Sequence, residues 1–176
     1  MRAPRLTGLA PCVSQGTRLL ILGSFPGAAS LAQQQYYAHP QNQFWKILET
    51  LWPAHPAPVR ALPYAERCQW LLERGLGVWD VYASCERQGS LDAAIRQPLV
   101  NDFSALLLQC PHLQAMAYNG GESYRQSRQV SASLQAGGCS ALPQYPLPST
   151  SPAHASWSFE RKLAAWREVV QAVGLL

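Results

Sequence analysis

The sequence lacks the cysteine pattern of a metal centre. Its five cysteines are an odd number and widely spaced, and no two of them form a Cys-x-x-Cys pair. Structural zinc and iron–sulfur sites draw on closely spaced cysteines, so we expect no metal site. Reduced thiols in a cytosolic protein are the simpler interpretation. The cysteines are Cys12, Cys68, Cys85, Cys110 and Cys139.

Long apolar runs are absent as well, and charge is scarce. No run approaches the roughly 20 residues that cross a bilayer, and there is no signal-peptide pattern. We therefore expect a soluble, cytoplasmic protein that has no membrane partner. Charged residues make up 14% of the chain, which has a formal net charge of +4 and a pI near 8.9. This mild positive excess suits a polyanionic partner without requiring one.

The length and the loops indicate one folded unit. The 176 residues fit a single domain, residues 1–176, that can bury a core without disulfides or metals. Residues 1–16 contain two prolines and no clear period, so we expect an N-terminal arm there. The 14 prolines and 12 glycines predict many well-defined loops.

Apolar segments alternate with amphipathic segments along the chain. Short apolar runs predict four strands, at residues 19–22, 76–82, 113–118 and 141–147. Helical patterns and their end signals predict helices at residues 44–52, 63–75, 101–110, 122–130 and 159–173. The predicted loops include residues 53–62, 83–90 and 131–140. Strands that alternate with helices predict a three-layer α/β/α domain around a four-stranded parallel sheet.

The first predicted strand runs directly into a sharp turn, Gly23-Ser24-Phe25-Pro26-Gly27. Open α/β sheets bind their ligands outside the carboxyl ends of the strands, often at glycine-rich turns. A polar segment with two tyrosines, a His-Pro pair and an asparagine follows this turn. We therefore expect residues 18–45 to line an active site. Pro-Gly is also the usual centre of a type II turn, and both interpretations need the same backbone.

These segments carry a family resemblance. Gly-Ser-Phe-Pro-Gly-x-x-Ser at residues 23–30, Tyr-Tyr-Ala-His-Pro-Gln-Asn-Gln-Phe-Trp at 36–45 and Pro-Ser-Thr-Ser-Pro-Ala at 148–153 resemble the uracil-DNA glycosylase superfamily. Within it, the sequence most resembles the hypoxanthine-DNA (deoxyinosine) glycosylase branch. The resemblance implies base excision repair, in which hypoxanthine or uracil is flipped out of duplex or single-stranded DNA and released by hydrolysis. It also implies a monomeric enzyme without metal or cofactor.

One position departs from many members of that family. They place aspartate or asparagine two residues after the first glycine to orient the attacking water, whereas this chain has Phe25. An apolar ring cannot accept a proton or position water. The hypoxanthine branch shares this absence, and its activity is linked to the asparagine that matches Asn42. The resemblance therefore implies that Asn42 is catalytic. An asparagine before a helix is also a favoured N-cap, and both roles can coexist.

The resemblance further implies a set of base-binding residues. The backbone N–H groups of Ser24 and Phe25, in the turn that starts at Gly23, would hold a carbonyl oxygen of the base. Tyr37 would stack on the base, and Asn119 would bind its hydrogen-bonding edge. From the local sequence alone, Tyr37 is equally well a packing residue, and Asn119 is a turn residue before Gly-Gly.

A loop near the C-terminal helix is the expected DNA contact. Hydroxyl groups suit contact with phosphate, and prolines hold the shape of the loop. The alternative is an exposed loop without a partner. We interpret the nearest carboxylates, Asp80 and Glu86, as structural. The expected DNA-binding residues are Pro148, Ser149, Thr150, Ser151, Pro152 and His154.

Two other function classes remain open. A non-catalytic module could flip and hold a damaged base yet lack cleavage because of Phe25. A nucleotide-binding α/β enzyme could use the glycine-rich turn for phosphate, but the chain has neither Gly-x-Gly-x-x-Gly nor a phosphate-loop lysine motif. The two lysines, Lys46 and Lys162, lie outside the matching motifs. Their positions favour attack by water over a lysine Schiff base.

Overall fold

A parallel sheet of four strands lies at the centre of the fold, in a computed structural model that describes residues 2–53 and 58–176. The described strands are β1 (Arg5–Thr7), β2 (Leu19–Gly23), β3 (Leu76–Asp80), β4 (Tyr82–Glu86), β5 (Arg96–Val100), β6 (Ala115–Asn119) and β7 (Gln144–Leu147). The described helices are α1 (Ala28–Gln33), α2 (Phe44–Leu51), α3 (Tyr64–Glu73), α4 (Leu106–Gln109), α5 (Gly121–Tyr124), α6 (Ser127–Ala136) and α7 (Phe159–Ala172). The parallel sheet has the order β3-β2-β6-β7.

Helices cover both faces of this sheet. Successive residues of a strand point to opposite faces, and β2 is buried throughout. Leu19 and Ile21 join one apolar core with residues of α2, α3 and α7. Leu20 and Leu22 join a second core with residues of α4 and α6. The predicted three-layer arrangement around four parallel strands is therefore confirmed.

A second, antiparallel sheet was not predicted. The chain leaves the parallel sheet at Val81, and β4 occupies residues that we expected to be loop, so the prediction of one strand at 76–82 is wrong. This sheet has the order β1-β4-β5. Its first strand belongs to the N-terminal arm, where Arg5 pairs with Glu86. Such pairing between distant segments leaves no local signal in the sequence.

Several predicted helix boundaries are also wrong. The helix expected from residue 101 begins only at α4, because a local turn precedes it: Asp102 Oδ1 accepts a hydrogen bond from the Ser104 N–H at 2.8 Å. The helix expected at 122–130 is instead two helices, and α6 extends through residues 131–136, which we expected to be loop. The last strand is shorter than predicted, and α1 was not predicted. Of the predicted linker 53–62, residues 54–57 lie outside the described part of the chain.

The four parallel strands end at one edge of the sheet. Gly23 pairs in register with Asp80, and Asn119 pairs with Leu147. The segments that follow these residues therefore meet at the same edge, which is where parallel α/β sheets bind ligands. Among the described residues, no helix has the length and apolar character needed to cross a bilayer.

Candidate active site

A pocket of about 450 Å³ opens at this edge of the sheet. The turn after β2, the segment before α2, the end of β6 and the loop after β7 all line it. The pocket brings together the predicted site residues, with the exception of Pro148. These residues are Gly23, Ser24, Phe25, Tyr37, Asn42, Asn119, Ser149, Thr150, Ser151, Pro152 and His154.

The turn after β2 offers backbone donors to the pocket. Its carbonyls are anchored to the neighbouring segment, since Val81 N–H donates to Gly23 O at 2.8 Å and Tyr82 N–H donates to Ser24 O at 3.0 Å. Within residues 2–53 and 58–176, the backbone N–H groups of Ser24 and Phe25 have no protein acceptor. The Phe25 ring packs in the second apolar core. Two fixed N–H groups are therefore available to a ligand oxygen.

Tyr37 is held with one ring face covered. Its ring stacks on Phe44, with centroids 3.9 Å apart and an interplanar angle of 19°. Its backbone is left-handed, with φ of 55°, and the next N–H, that of Ala38, donates to Ser30 Oγ at 3.1 Å. Stacking on a flat ligand would therefore have to use the ring face opposite Phe44. The Tyr37 hydroxyl is buried and has no hydrogen-bond partner in the described residues.

Asn42 lies just before α2 and lines the pocket. Its Oδ1 accepts a hydrogen bond from the Phe44 N–H at 2.9 Å. The N-cap residue of α2 is Gln43, which has no side-chain cap, so the prediction of Asn42 as the N-cap is wrong by one residue. Its own N–H donates to His39 O at 2.9 Å. The side chain is half-buried, and its Nδ2 finds no acceptor in the part of the chain that the structure describes. The hydrogen bond to the Phe44 N–H thus fixes an amide whose own N–H donors are available to a ligand.

Asn119 and Thr150 form a closed pair. The Asn119 Nδ2 donates to Thr150 Oγ1 at 2.9 Å, and the Thr150 N–H donates to Asn119 Oδ1 at 2.9 Å. Thr150 O in turn accepts from the Gln43 N–H at 3.0 Å. Thr150 is fully buried, so the expectation that its hydroxyl contacts phosphate is wrong. The remaining Nδ2 hydrogen of Asn119 lies close enough to the Tyr37 hydroxyl to act against the raised pKa of that phenol, so a ligand would share this donor with Tyr37.

We expect Thr150→Val to destabilise the fold by about 1–3 kcal/mol, because the isosteric side chain leaves the buried Asn119 Nδ2 without its acceptor. The free energy of unfolding from urea titration measures the effect. Thr50→Val is the control: this exposed hydroxyl donates only to Lys46 O within its own helix, and a change within about 0.5 kcal/mol is expected. Equal effects of the two substitutions would contradict a central role for Thr150.

The rest of the loop after β7 faces outward in part. Pro148 lies behind the pocket, where its carbonyl accepts from Trp166 Nε1 at 3.2 Å. Ser149 Oγ and Ser151 Oγ accept from backbone N–H groups of the loop. A hydroxyl that accepts in this way can still donate its own O–H. Pro152 is exposed, and half-buried His154 has an Nε2 without a partner in the described residues.

Sequence reasoning assigned no site role to two carboxylates of the pocket. Asp80 is only 4% exposed and lies at the end of β3. Burial, and then the nearby charge of Asp92, raise the pKa of Asp80 to about 7, while Arg87 acts to lower it. Asp92 Oδ1 accepts from Ser24 Oγ–H at 2.5 Å. One signal in the sequence could have predicted that Asp80 lies at the site. Asp80 lies near the end of one predicted strand and Gly23 directly follows another, and the ends of parallel strands meet at one edge of the sheet.

A second concavity of about 580 Å³ adjoins the pocket and shares Tyr37, His39 and Asn42 with it. Three cationic side chains line it: Lys46, Arg60 and Arg67. Arg60 is paired with Glu49 at 3.4 Å, so Lys46 and Arg67 provide the excess positive charge beside the pocket. Among the described residues, no three His, Cys, Asp or Glu side chains are grouped so as to hold a metal ion.

Comparison with known proteins gives a consistent result. Residues 11–173 match the model of the uracil DNA glycosylase superfamily. Hypoxanthine DNA glycosylase of Methanosarcina barkeri (strain Fusaro / DSM 804) is 34% identical over 116 residues, 66% of this chain and 72% of that protein. The same-named protein of Methanosarcina acetivorans is 34% identical over 113 residues, 64% of this chain and 70% of that protein.

A solved structure is similar over almost the whole chain. It is a solution NMR structure from Methanosarcina acetivorans, of a protein described as a candidate uracil DNA glycosylase. The TM-score is 0.80 at 28% identity, covering 97% of this chain and 99% of that one. Together with the family match over residues 11–173, this establishes that the chain belongs to the uracil DNA glycosylase superfamily.

Proposed function

We propose that this protein is a monofunctional DNA glycosylase of base excision repair. It hydrolyses the N-glycosidic bond of a deaminated base, hypoxanthine or uracil, that has been flipped out of DNA, and it acts as a monomer. Membership of the superfamily and the similarity to two hypoxanthine DNA glycosylases support this function. The structural observation that carries it is the pocket at the carboxyl edge of the sheet. This pocket is lined by the turn whose Ser24 and Phe25 N–H groups have no protein acceptor within residues 2–53 and 58–176, and by Tyr37, whose ring is covered by Phe44 on one face.

The pocket matches the charge changes of base release. Cleavage of an N-glycosidic bond builds positive charge on the sugar and negative charge on the departing base. The Ser24 and Phe25 N–H groups hold a carbonyl oxygen of the base and stabilise that negative charge. The free face of Tyr37 stacks on the flipped base. Asn119 contributes its remaining N–H to the base edge.

Water attack relies on Asn42 in this proposal. Phe25 offers no group that can orient water, and its ring is buried in the core. Asn42 Oδ1 accepts one hydrogen bond, from the Phe44 N–H, and its second lone pair can accept from the attacking water. A good leaving group can depart under electrostatic stabilisation without a strong base. Lys162 is buried and donates to His154 O at 2.7 Å, whereas Lys46 lies over the Phe159 ring, so neither lysine favours a Schiff base.

Oligonucleotides that carry uracil, hypoxanthine or xanthine provide the direct test. Each is incubated with the protein as a duplex and as a single strand, and alkali then cleaves any abasic site that forms. We expect abasic sites from uracil or hypoxanthine. Specific binding to these lesions without any abasic product would instead support a module that holds damaged bases without cleaving them, as the aromatic residue at position 25 suggests.

We expect DNA affinity to depend weakly on salt. The net charge is only +4, and three cationic side chains line the second concavity beside the pocket. Each neutralised phosphate contributes about 0.9 to the slope of log affinity against log salt, so we expect a slope magnitude of about 2 to 4. Fluorescence anisotropy at several salt concentrations measures it. A much steeper slope would indicate an extended basic face.

Paired variants locate the phosphate contacts. Lys46→Ala, in the second concavity, should lower the magnitude of the slope of log affinity against log salt by about 0.9. Arg128→Ala removes an exposed cation from α6 on the other face of the sheet and should leave the slope unchanged. Equal changes in both variants would contradict the proposal that DNA phosphates lie along the second concavity.

A further inference from the structure

The floor of the pocket carries a carboxyl group that the proposed function does not use. Asp80 is 4% exposed, and its Oδ2 has no hydrogen-bond partner within residues 2–53 and 58–176. A Cβ on Gly23 would lie 2.6 Å from Asp80 Oδ1 and 3.2 Å from the Tyr37 hydroxyl, which is also unpartnered. Two buried polar groups therefore approach the backbone at one point, and only a residue without a Cβ allows so close an approach.

The surroundings keep this carboxyl group neutral over an unusual pH range. Burial is the main cause of its raised pKa, of about 7, and the negative charge of Asp92 adds to it. Arg87 is the opposing charge, and the phenols of Tyr36 and Tyr37 also lie close to Asp80. A large fraction of the molecules therefore carry protonated Asp80 near neutral pH.

A neutral carboxyl group complements the edge that deamination creates. Uracil and hypoxanthine both carry an N–H beside a carbonyl, on the side of the ring away from the sugar. A base that enters the pocket brings this edge towards the floor and leaves its sugar at the mouth. Protonated Asp80 offers an O–H donor beside a C=O acceptor, which matches that edge. Ionised Asp80 would offer acceptors only and would repel the negative charge of the departing base.

We propose that Asp80 is a catalytic acid, which donates its proton to the carbonyl oxygen of the bound base as the glycosidic bond breaks. This inference rests on the proposed glycosylase function. The electron pair of the C1′–N bond leaves with the base, and the Asp80 proton neutralises the resulting anion. A water oxygen forms the new bond to C1′ and loses one proton to solvent. Solvent then reprotonates Asp80, so that one water is consumed and no other reactant is needed.

Asp80→Asn tests the transfer directly, because the amide keeps the size and neutrality of the acid but cannot give up its proton. We expect uracil release to fall about 100- to 1,000-fold, within the usual range for general acid catalysis. 5-Fluorouracil is a better leaving group and depends less on an acid, so its release should fall by a clearly smaller factor. Equal losses on the two substrates would overturn the proposal.

The pH profile gives a second readout. For the unmodified protein, kcat/KM should fall above about pH 7 as Asp80 ionises, and Asp80→Asn should lose this basic limb. His39 and His154 also line the pocket and remain in the variant, so loss of the limb assigns it to Asp80. Asp92→Asn should move the limb to lower pH, because it removes the charge that raises the pKa of Asp80. A limb that survives in Asp80→Asn would refute the assignment.

Folding does not confound these tests. Ionisation of Asp80 is disfavoured in the folded state, so Asp80→Asn should fold at least as well above pH 7 as the parent. A carbon NMR titration of the Asp80 carboxyl in the parent adds a readout that is independent of activity. A pKa near the ordinary value of about 4 would overturn the proposal. Failure of the parent to release any base would refute the glycosylase function, and this titration would still decide the state of Asp80.

Discussion

Substituting alanine for Asn42 should slow base release about 100-fold, the size expected when one pre-organised contact to the transition state is lost. The side chain lines the pocket with its orientation fixed by the hydrogen bond to the Phe44 N–H. Single-turnover rates on uracil- and hypoxanthine-containing duplexes measure the effect. Loss of the hydrogen bond to the Phe44 N–H should cost only about 1 kcal/mol of the free energy of unfolding. A folded variant that cleaves at the parental rate would leave Asn42 with a structural role alone.

Asn42→Asp separates the two roles that the amide can have. The aspartate keeps an oxygen for the Phe44 N–H, so this hydrogen bond and the fold should be retained. If the nitrogen of Asn42 donates to the base, the carboxylate loses that donor, and release should fall as it does in Asn42→Ala. If the oxygen of Asn42 orients the water, the carboxylate replaces it, and release should be preserved or increased. The comparison therefore assigns the catalytic atom.

Gly23→Ala should abolish most of the activity, with a loss of about 100-fold or more, because a misplaced group near the chemistry costs on that order. The new methyl would lie 2.6 Å from Asp80 Oδ1 and 3.2 Å from the Tyr37 hydroxyl. The Asp80 carboxyl would have to shift, and the methyl would occupy space at the pocket floor. Base release and binding to an abasic-site duplex, measured together, distinguish a blocked pocket from a lost DNA surface.

Gly27→Ala is the matched control in the same turn. A Cβ there would meet its nearest neighbour, Ser90 Oγ, at 3.5 Å, an ordinary contact distance. The backbone of Gly27 is extended, with φ of −67°, so alanine is tolerated without strain. Its activity should remain close to that of the parent. Equal losses in both variants would show that the turn as a whole, and not the floor beneath Gly23, is sensitive.

Periodicity was sufficient to predict the parallel sheet. Each central strand is an apolar run buried on both faces, and α7 repeats its buried residues at helical spacing. The predicted turn at Gly23 and the asparagine before α2 also meet in one pocket. Strand ends in a parallel sheet share an edge, so the order of the elements along the chain was enough to bring these residues together.

The remaining features depend on tertiary contacts that local patterns do not encode. The strand at Arg5–Thr7 forms because Glu86, far along the chain, pairs with Arg5. Thr150 resembles its serine neighbours in sequence, yet its contact with Asn119 turns it inward. In sequence, Asp80 resembles a structural aspartate. Its raised pKa follows from burial and from the nearby charge of Asp92. Its close approach to the backbone requires glycine at position 23.

The closed pair of Thr150 and Asn119 also determines when, during synthesis of the chain, the base-binding pocket can form. The ribosome releases the chain from its N-terminal end, so the turn at Gly23 and the Tyr37 segment emerge long before residue 150. Thr150 joins Asn119 to Gln43, and the carbonyl before this loop is held by Trp166 in the last helix. A nascent chain can therefore carry every base-contacting residue and still lack these contacts around the pocket until residues 148–166 have emerged.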